Sequence, residues 1–183
     1  MEHRPSYVLH SVRWKPAALV AVTSGLLYLL CLEPGLYWGD SASFASHLET
    51  SPKPFARSYW LYKALGRIYL AFGMTPATAA VAAASSFAAL SVGLLHALTQ
   101  RLTGQLAAAA AAAALAAASL GLAHTFWMHA VTAEVYSLVV LFELCLLYLT
   151  VGAGRSAKEA LALGLCIGLA LNHHRLLWFS FPV

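Results

Sequence analysis

Long apolar runs, broken only by short polar segments, dominate this chain and fix the solvent in which it folds. They extend from about Pro16 to Leu32, Ala77 to Thr99 and Leu106 to Ala123, then through a fourth run that follows the segment His124 to Tyr136 and ends near Val151, and from Ala160 to Leu171. Charged residues make up 10% of the chain and apolar ones 61%, against roughly 25% and 45–50% in a soluble domain. The mean hydropathy is +0.72. A surface so poor in charge needs lipid to cover it. The expected fold class is therefore all-α, a polytopic transmembrane helix bundle of about five spans.

The net charge of +4 does not point to nucleic acid. The basic residues sit in short connectors between apolar runs, where topology signals lie, and form no stripe along one face. Cys31, Cys145 and Cys166 fall inside or at the edge of apolar runs without metal-type or CxxC spacing, so they read as small hydrophobes. Arg4, Arg13 and Lys15 precede the first run, but no small-x-small cleavage site follows it, so it reads as an uncleaved first span.

The expected organisation is a cytoplasmic tail over 1–15, a first span over 16–32, an outer loop over 33–75 and the remaining spans over 76–183. The outer loop carries the breakers Pro34, Gly35, Gly39, Pro52 and Pro54, then the segment Tyr59 to Leu70. Lys63 and Arg67 share one helical face there among aromatics and leucines, the pattern of a helix lying in the membrane interface with its cations snorkelling to water. Thr75-Pro76 opens the next helix. The alanine-rich run after Leu106 transfers weakly into lipid and is expected to be buried among its neighbours. The chain stops at Phe181-Pro182-Val183 within apolar sequence, and the expectation is an amino-terminal part of a longer membrane protein.

With the amino terminus inside, the inner connectors hold Arg4, Arg13, Lys15, Arg101, Arg155 and Lys158, and the outer ones Lys53, Arg57, Lys63, Arg67 and Arg175. Alternation of the spans then puts loops one, three and five on one side. Those loops carry Asp40, then His124, His129 and Glu134, then Asn172, His173, His174 and Arg175. Ionisable groups at membrane depth cost about 3 kcal/mol each even on the mild insertion scale, so a set gathered on one side is a candidate site. Asp40, after Trp38 and Gly39, suits a general base toward a hydroxyl, or equally a helix cap. Glu134 suits a sugar hydroxyl, a metal or a basic partner, or equally a helix-start acid; on a continuous helix it would share a face with Trp127 and Ala130. Asn172-His173-His174-Arg175 is the anion candidate, since a guanidinium with adjacent imidazoles holds phosphate by charge-assisted bonds. A metal built from His129, His173, His174 and a carboxylate matches no established spacing, and no cofactor is certain; a divalent metal is the weaker expectation.

The motifs then resemble a known family. They are Gly39-Asp40-Ser41 with Phe44, Leu61-Tyr62 through Gly66-Arg67, Arg101 to Gly104, the block Thr125 to Leu138, and Gly168 to His173. In this order they resemble the amino-terminal part of the DUF2723 family, which includes the transmembrane protein 260 type of protein O-mannosyltransferase. That family is similar to C-type glycosyltransferases, multi-span enzymes that use polyprenyl-phosphate sugars on the non-cytoplasmic face. The resemblance implies Asp40 as base, Glu134 at the sugar or acceptor, and Asn172 and His173 near the donor. The chain departs from the family pattern at Asp40-Ser41-Ala42-Ser43-Phe44, where a second acid is usual and Glu49 is the nearest substitute, and at Phe55 to Trp60.

The reading carried forward is a multi-pass glycosyltransferase with catalytic Asp40 and Glu134. Its candidate substrate-binding residues are Trp38, Ser41, Tyr59, Trp127, His129, Tyr136, Asn172, His173, His174 and Arg175. Its expected partners are a polyprenyl-phosphate-linked sugar, an acceptor protein or glycan, and membrane lipid. A proton-coupled carrier and a non-catalytic assembly factor are the rival readings.

Overall fold

The computed structural model describes residues 10–33, 35, 40–50, 59–104, 107–152 and 156–180. Among these the chain is helical throughout, with no strand. The helices are α1 (Trp14–Leu30), α2 (Ser41–Thr50), α3 (Trp60–Ala71), α4 (Pro76–Thr103), α5 (Ala107–Gly121), α6 (His124–Val131), α7 (Tyr136–Gly152) and α8 (Ala157–His173), followed by a 3-10 helix, Arg175–Ser180.

Helix α4 is the axis of the fold. Thr75 caps it by accepting the Thr78 amide at 3.3 Å, Pro76 occupies the first turn, and Gly104 at φ 92° ends it. Its 28 residues rise roughly 42 Å, more than the hydrocarbon thickness of about 30 Å. It packs against α1, α2, α3, α5, α6 and α7, so small residues bury it nearly all round. Ala17 and Ala21 of α1 meet Gly93 of α4, and Gly25 of α1 meets Ala89, as the small residues of close-packed membrane helices do.

By length and composition α4 alone is sufficient to cross a membrane, and α5 with α6 makes a second crossing if that pair, bent by 64°, is one span. Five spans are therefore not what helix length gives. Helices α1 and α7 are apolar but shorter. The alanine helix also departs from expectation. Only Ala109, Ala113, Ala117 and Gly121, at four-residue spacing, are buried, while the other faces of α5 are largely exposed.

The helix over Trp60–Ala71 forms as expected, with its cations arranged differently. Tyr62 and Gly66 pack inward, and Lys63 is buried with them at 5% exposure instead of snorkelling outward. A tight contact explains this packing: a Cβ on Gly66 would lie 2.8 Å from the Leu48 methyls of α2. Tyr62 is held by its hydroxyl, which donates to Ala80 O at 2.7 Å.

One group of segments meets around Arg101. His10 N donates to Arg101 O at 3.2 Å, and the Arg101 guanidinium lies 4.4 Å over the Tyr148 ring and 3.8 Å from Glu159. The end of α4, the end of α7 and the start of α8 thus meet beside the segment leading into α1. Ser156 caps α8 by accepting the Glu159 amide, and its hydroxyl donates back to the Glu159 carboxylate. Among the described residues, the start of α2, the residue before α3, the α6–α7 join and the end of α8 form a second meeting place.

Candidate functional site

Serine 41 ties the two candidate carboxylates together. It is fully buried, and its hydroxyl donates to Ala133 O at 3.2 Å, so Asp40 and Glu134, the neighbours of that bond, stand at the same place. Asp40 is exposed at the start of α2, where its carbonyl accepts the Phe44 amide at 2.9 Å. Glu134 is half-buried between α6 and α7. Burial first, then the charge of Asp40, pushes its carboxyl above the usual glutamate range, partly offset by the backbone of Val135.

The α6–α7 join corrects one expectation. Helix α6 ends at Val131, and residues 132–135 are not helical. Trp127, Ala130 and Glu134 therefore do not share a helical face. Trp127 instead packs edge-on against Tyr28 at 5.3 Å, in the cluster of α1, α4 and α6. Phe126 and Ala130 join it there, away from the carboxylates.

A continuous set of rings links the other candidates. His129 lies 4.8 Å from Tyr136, Tyr136 lies 5.7 Å from His174, and His174 lies 5.8 Å from Tyr59. Tyr59 also meets His173 at 5.5 Å and Phe44 at 5.5 Å. Its backbone is left-handed, φ 71° and ψ 26°, uncommon for a bulky residue and held here by packing on three sides. Burial raises the Tyr59 phenol above its ordinary range, and the charges of Asp40 and Tyr136 add to this while Arg175 opposes it. Tyr59 thus feels both the carboxylates and the guanidinium.

Beside it opens a cavity of about 950 Å³ lined by Tyr59, Leu171, Asn172, His173, His174, Arg175, Trp178 and Phe179. Asn172 and Arg175 are exposed at its mouth. His173 is 1% exposed, and neither of its ring nitrogens is hydrogen-bonded in ordinary geometry, although the Val135 backbone stands near. His174 Nδ1 accepts the Leu176 amide at 3.1 Å, so the neutral ring carries its proton on Nε2. Burial holds His174 below the usual histidine range. The His174 imidazole, the Asn172 amide and the Arg175 guanidinium, among aromatic faces, are groups able to hydrogen-bond an anion or a hydroxyl-rich ligand.

Of the sequence candidates, Asp40, Ser41, Tyr59, His129, Glu134, Tyr136, Asn172, His173, His174 and Arg175 meet here; Trp127 is turned to α1. Trp38 lies outside the described residues. Among the described residues no group of three or more His, Cys, Asp and Glu is placed to hold a metal ion. Sequence reasoning named Phe44 only as part of the Gly39-Asp40-Ser41 motif, and passed over Trp178, Phe179 and the buried serines that support the site, Ser85 and Ser137. The one signal for the latter is a hydroxyl in an otherwise apolar helix, which needs a partner once buried.

Residues 56–183 match the family model described as the protein O-mannosyl-transferase TMEM260 N-terminal domain. Glu134 and the Asn172–Arg175 run lie inside this segment, and Asp40 precedes it. No curated protein and no solved structure matches the chain. The match takes in more than half of the chain, and the protein belongs to the family of TMEM260-type protein O-mannosyltransferase N-terminal domains.

Proposed function

We propose that this chain is the amino-terminal module of a multi-pass membrane glycosyltransferase of the C-type, related to the DUF2723 proteins. It moves a sugar, mannose by family, from a polyprenyl-phosphate donor to an acceptor hydroxyl on the non-cytoplasmic face. The observation that carries this reading is the cavity of about 950 Å³ with an Asn, His and Arg wall, which shares Tyr59 with the surroundings of Asp40 and Glu134. An enzyme that joins an anionic lipid-linked sugar to a hydroxyl needs both halves.

In this reading Asp40 takes the proton of the acceptor hydroxyl, and that oxygen attacks the anomeric carbon of the sugar. The bond from that carbon to the donor's phosphate oxygen breaks, and the phosphate leaves with the electron pair. Arg175, Asn172 and the two imidazoles stabilise its charge. Glu134 orients sugar or acceptor hydroxyls, and Tyr59, Trp178 and Phe179 supply faces for the ring and the first isoprene units. Acceptor protein or glycan, lipid donor and bilayer are the partners, and nucleic acid is not one.

Helices α1, α4, α5–α6, α7 and α8 then account for five crossings, with the amino terminus cytoplasmic. Leu19, Val22, Leu26 and Leu30 on one face of α1, and Leu161, Leu165 and Leu169 on one face of α8, are all exposed, which supports lipid around both. The candidate groups gather at helix ends and in connectors, which favours transfer chemistry over a carrier with a mid-span relay.

The test is sugar transfer by the full-length protein in membranes. Arg175→Ala is expected to lower transfer by roughly tenfold to a hundredfold, with partial recovery in Arg175→Lys, since a lone charge replaces a bidentate fork. Unchanged transfer would remove Arg175 from the donor site. The acid limb of the pH–rate profile is expected to rise through a midpoint above the ordinary glutamate range, because Glu134 holds its proton to higher pH and acts ionised. In Glu134→Gln that inflection should vanish; its persistence would show that another group titrates.

A further inference from the structure

The last four carbonyls of an α-helix have no partner within it. At the end of α6 each of these four carbonyls has been given one, two of them from other helices. Met128 O accepts from Thr132 Oγ1 at 2.6 Å, His129 O from Ser137 Oγ at 2.9 Å, and Ala130 O from Ser85 Oγ at 2.7 Å. Val131 O accepts the Glu33 amide at 3.0 Å, Thr132 O the Glu134 amide at 2.9 Å, and Ala133 O the Ser41 hydroxyl at 3.2 Å. The carbonyls leading up to Glu134 are thus held from α2, α4, α7 and the segment after α1. At the other end of the elbow Tyr28 closes the break after α5 by donating to Gly121 O at 2.9 Å.

Ser85 is the informative member. It is 1% exposed in an alanine-rich stretch of α4, a position where alanine would pack as well. Its neighbour Ser86 bonds within its own helix, to Ala82 O at 2.8 Å, and meets the Tyr69 hydroxyl at 2.6 Å. Of the two adjacent serines, only Ser85 reaches the α6–α7 connector.

We propose that Ser85, with Ser137, is a positioning residue: the two hydroxyls grip Ala130 O and His129 O and so fix the connector that presents Glu134 beside Asp40. Neither serine touches substrate. The consequence for turnover rests on the transferase reading above, while the grip itself does not.

The experiment compares Ser85→Ala, Ser137→Ala and Ser86→Ala in the full-length protein. It reads backbone hydrogen exchange over residues 129–136 together with transfer kinetics and their pH profile. An orphaned buried carbonyl loosens its segment, so Ser85→Ala and Ser137→Ala are expected to speed exchange there by roughly tenfold. Their kcat should fall by a similar factor with little change in donor KM, and the inflection assigned to Glu134 should move toward the ordinary glutamate range. Ser86→Ala should leave all of these as in the wild type. Wild-type exchange over 129–136 in both Ser85→Ala and Ser137→Ala would overturn the proposal. So would faster exchange with unaltered kcat and pH profile. If the wild-type protein transfers no sugar, the functional reading falls by itself, and the exchange comparison still decides the grip.

Discussion

Asp40→Asn in the full-length protein is expected to lower sugar transfer by at least about a hundredfold, in line with the 10²–10⁴ contributed by a general base. The amide keeps the size of the carboxylate, and the backbone bond from Phe44 N to Asp40 O remains. Proton acceptance is lost, and with it the negative charge. Asp40 is exposed, so the variant is expected to insert and fold as the wild type does, and a lowered rate will not reflect lost protein. Loss of the Asp40 charge should also lower the Glu134 carboxyl toward its ordinary range, since that charge is one of the causes of its elevation. The two readouts separate roles. A fall in transfer with a shifted Glu134 inflection fits a base beside a second acid, whereas a shift without a fall leaves Asp40 as an electrostatic neighbour alone.

Gly93→Ala is expected to destabilise the bundle more than a single methyl ordinarily does. A Cβ at Gly93 would stand 2.7 Å from the Ala21 Cβ and 2.9 Å from the Ala17 carbonyl oxygen, and a backbone atom cannot swing aside as a side chain does. Overpacking of this kind costs about 1–3 kcal/mol, more than the roughly 0.5–1 kcal/mol that alanine gains over glycine in a helix. Thermal unfolding in detergent should show a Tm lowered by several degrees. Gly164→Ala in α8 is the matched control. A Cβ there meets nothing within 4 Å, so the helix preference acts alone and Tm should hold or rise. Equal effects of the two substitutions would contradict the close approach of α1 to α4.

Much of the helical framework was legible in the chain. Thr75-Pro76 marked the start of α4 because capping and proline chemistry are local, and the apolar runs located α1, α4, α7 and α8. Alternation of five spans gave the expectation that Asp40, Glu134 and the Asn172–Arg175 run share a side; helix length gives one span, or two with the bent pair, while ring contacts bring their neighbourhoods together. What was not legible depends on partners far away in sequence. The break after Val131 leaves the composition apolar and is held by Ser85 and Ser41, 45 and 92 residues from their partners. Reading through it as one helix put Trp127 and Glu134 on a common face that does not exist. Lys63 resembled a snorkelling cation because amphipathicity identifies a polar stripe without identifying what packs on it. The left-handed backbone of Tyr59 likewise has no local cause such as glycine and arises from its ring contacts. Helix α2 was concealed in a stretch read as loop because its ten residues are too few for periodicity to stand out between flanking breakers.

The measurement that tests the central claim most directly is the donor requirement of the full-length wild-type protein in membranes, using radiolabelled mannose presented either on polyprenyl phosphate or on a nucleotide. The account predicts that label passes from polyprenyl-phosphate mannose to a membrane or lumenal acceptor, and that the nucleotide sugar is inactive when polyprenyl-phosphate mannose synthesis is blocked. Direct use of the nucleotide sugar, or no transfer from the lipid-linked donor by inserted and folded protein, would contradict it.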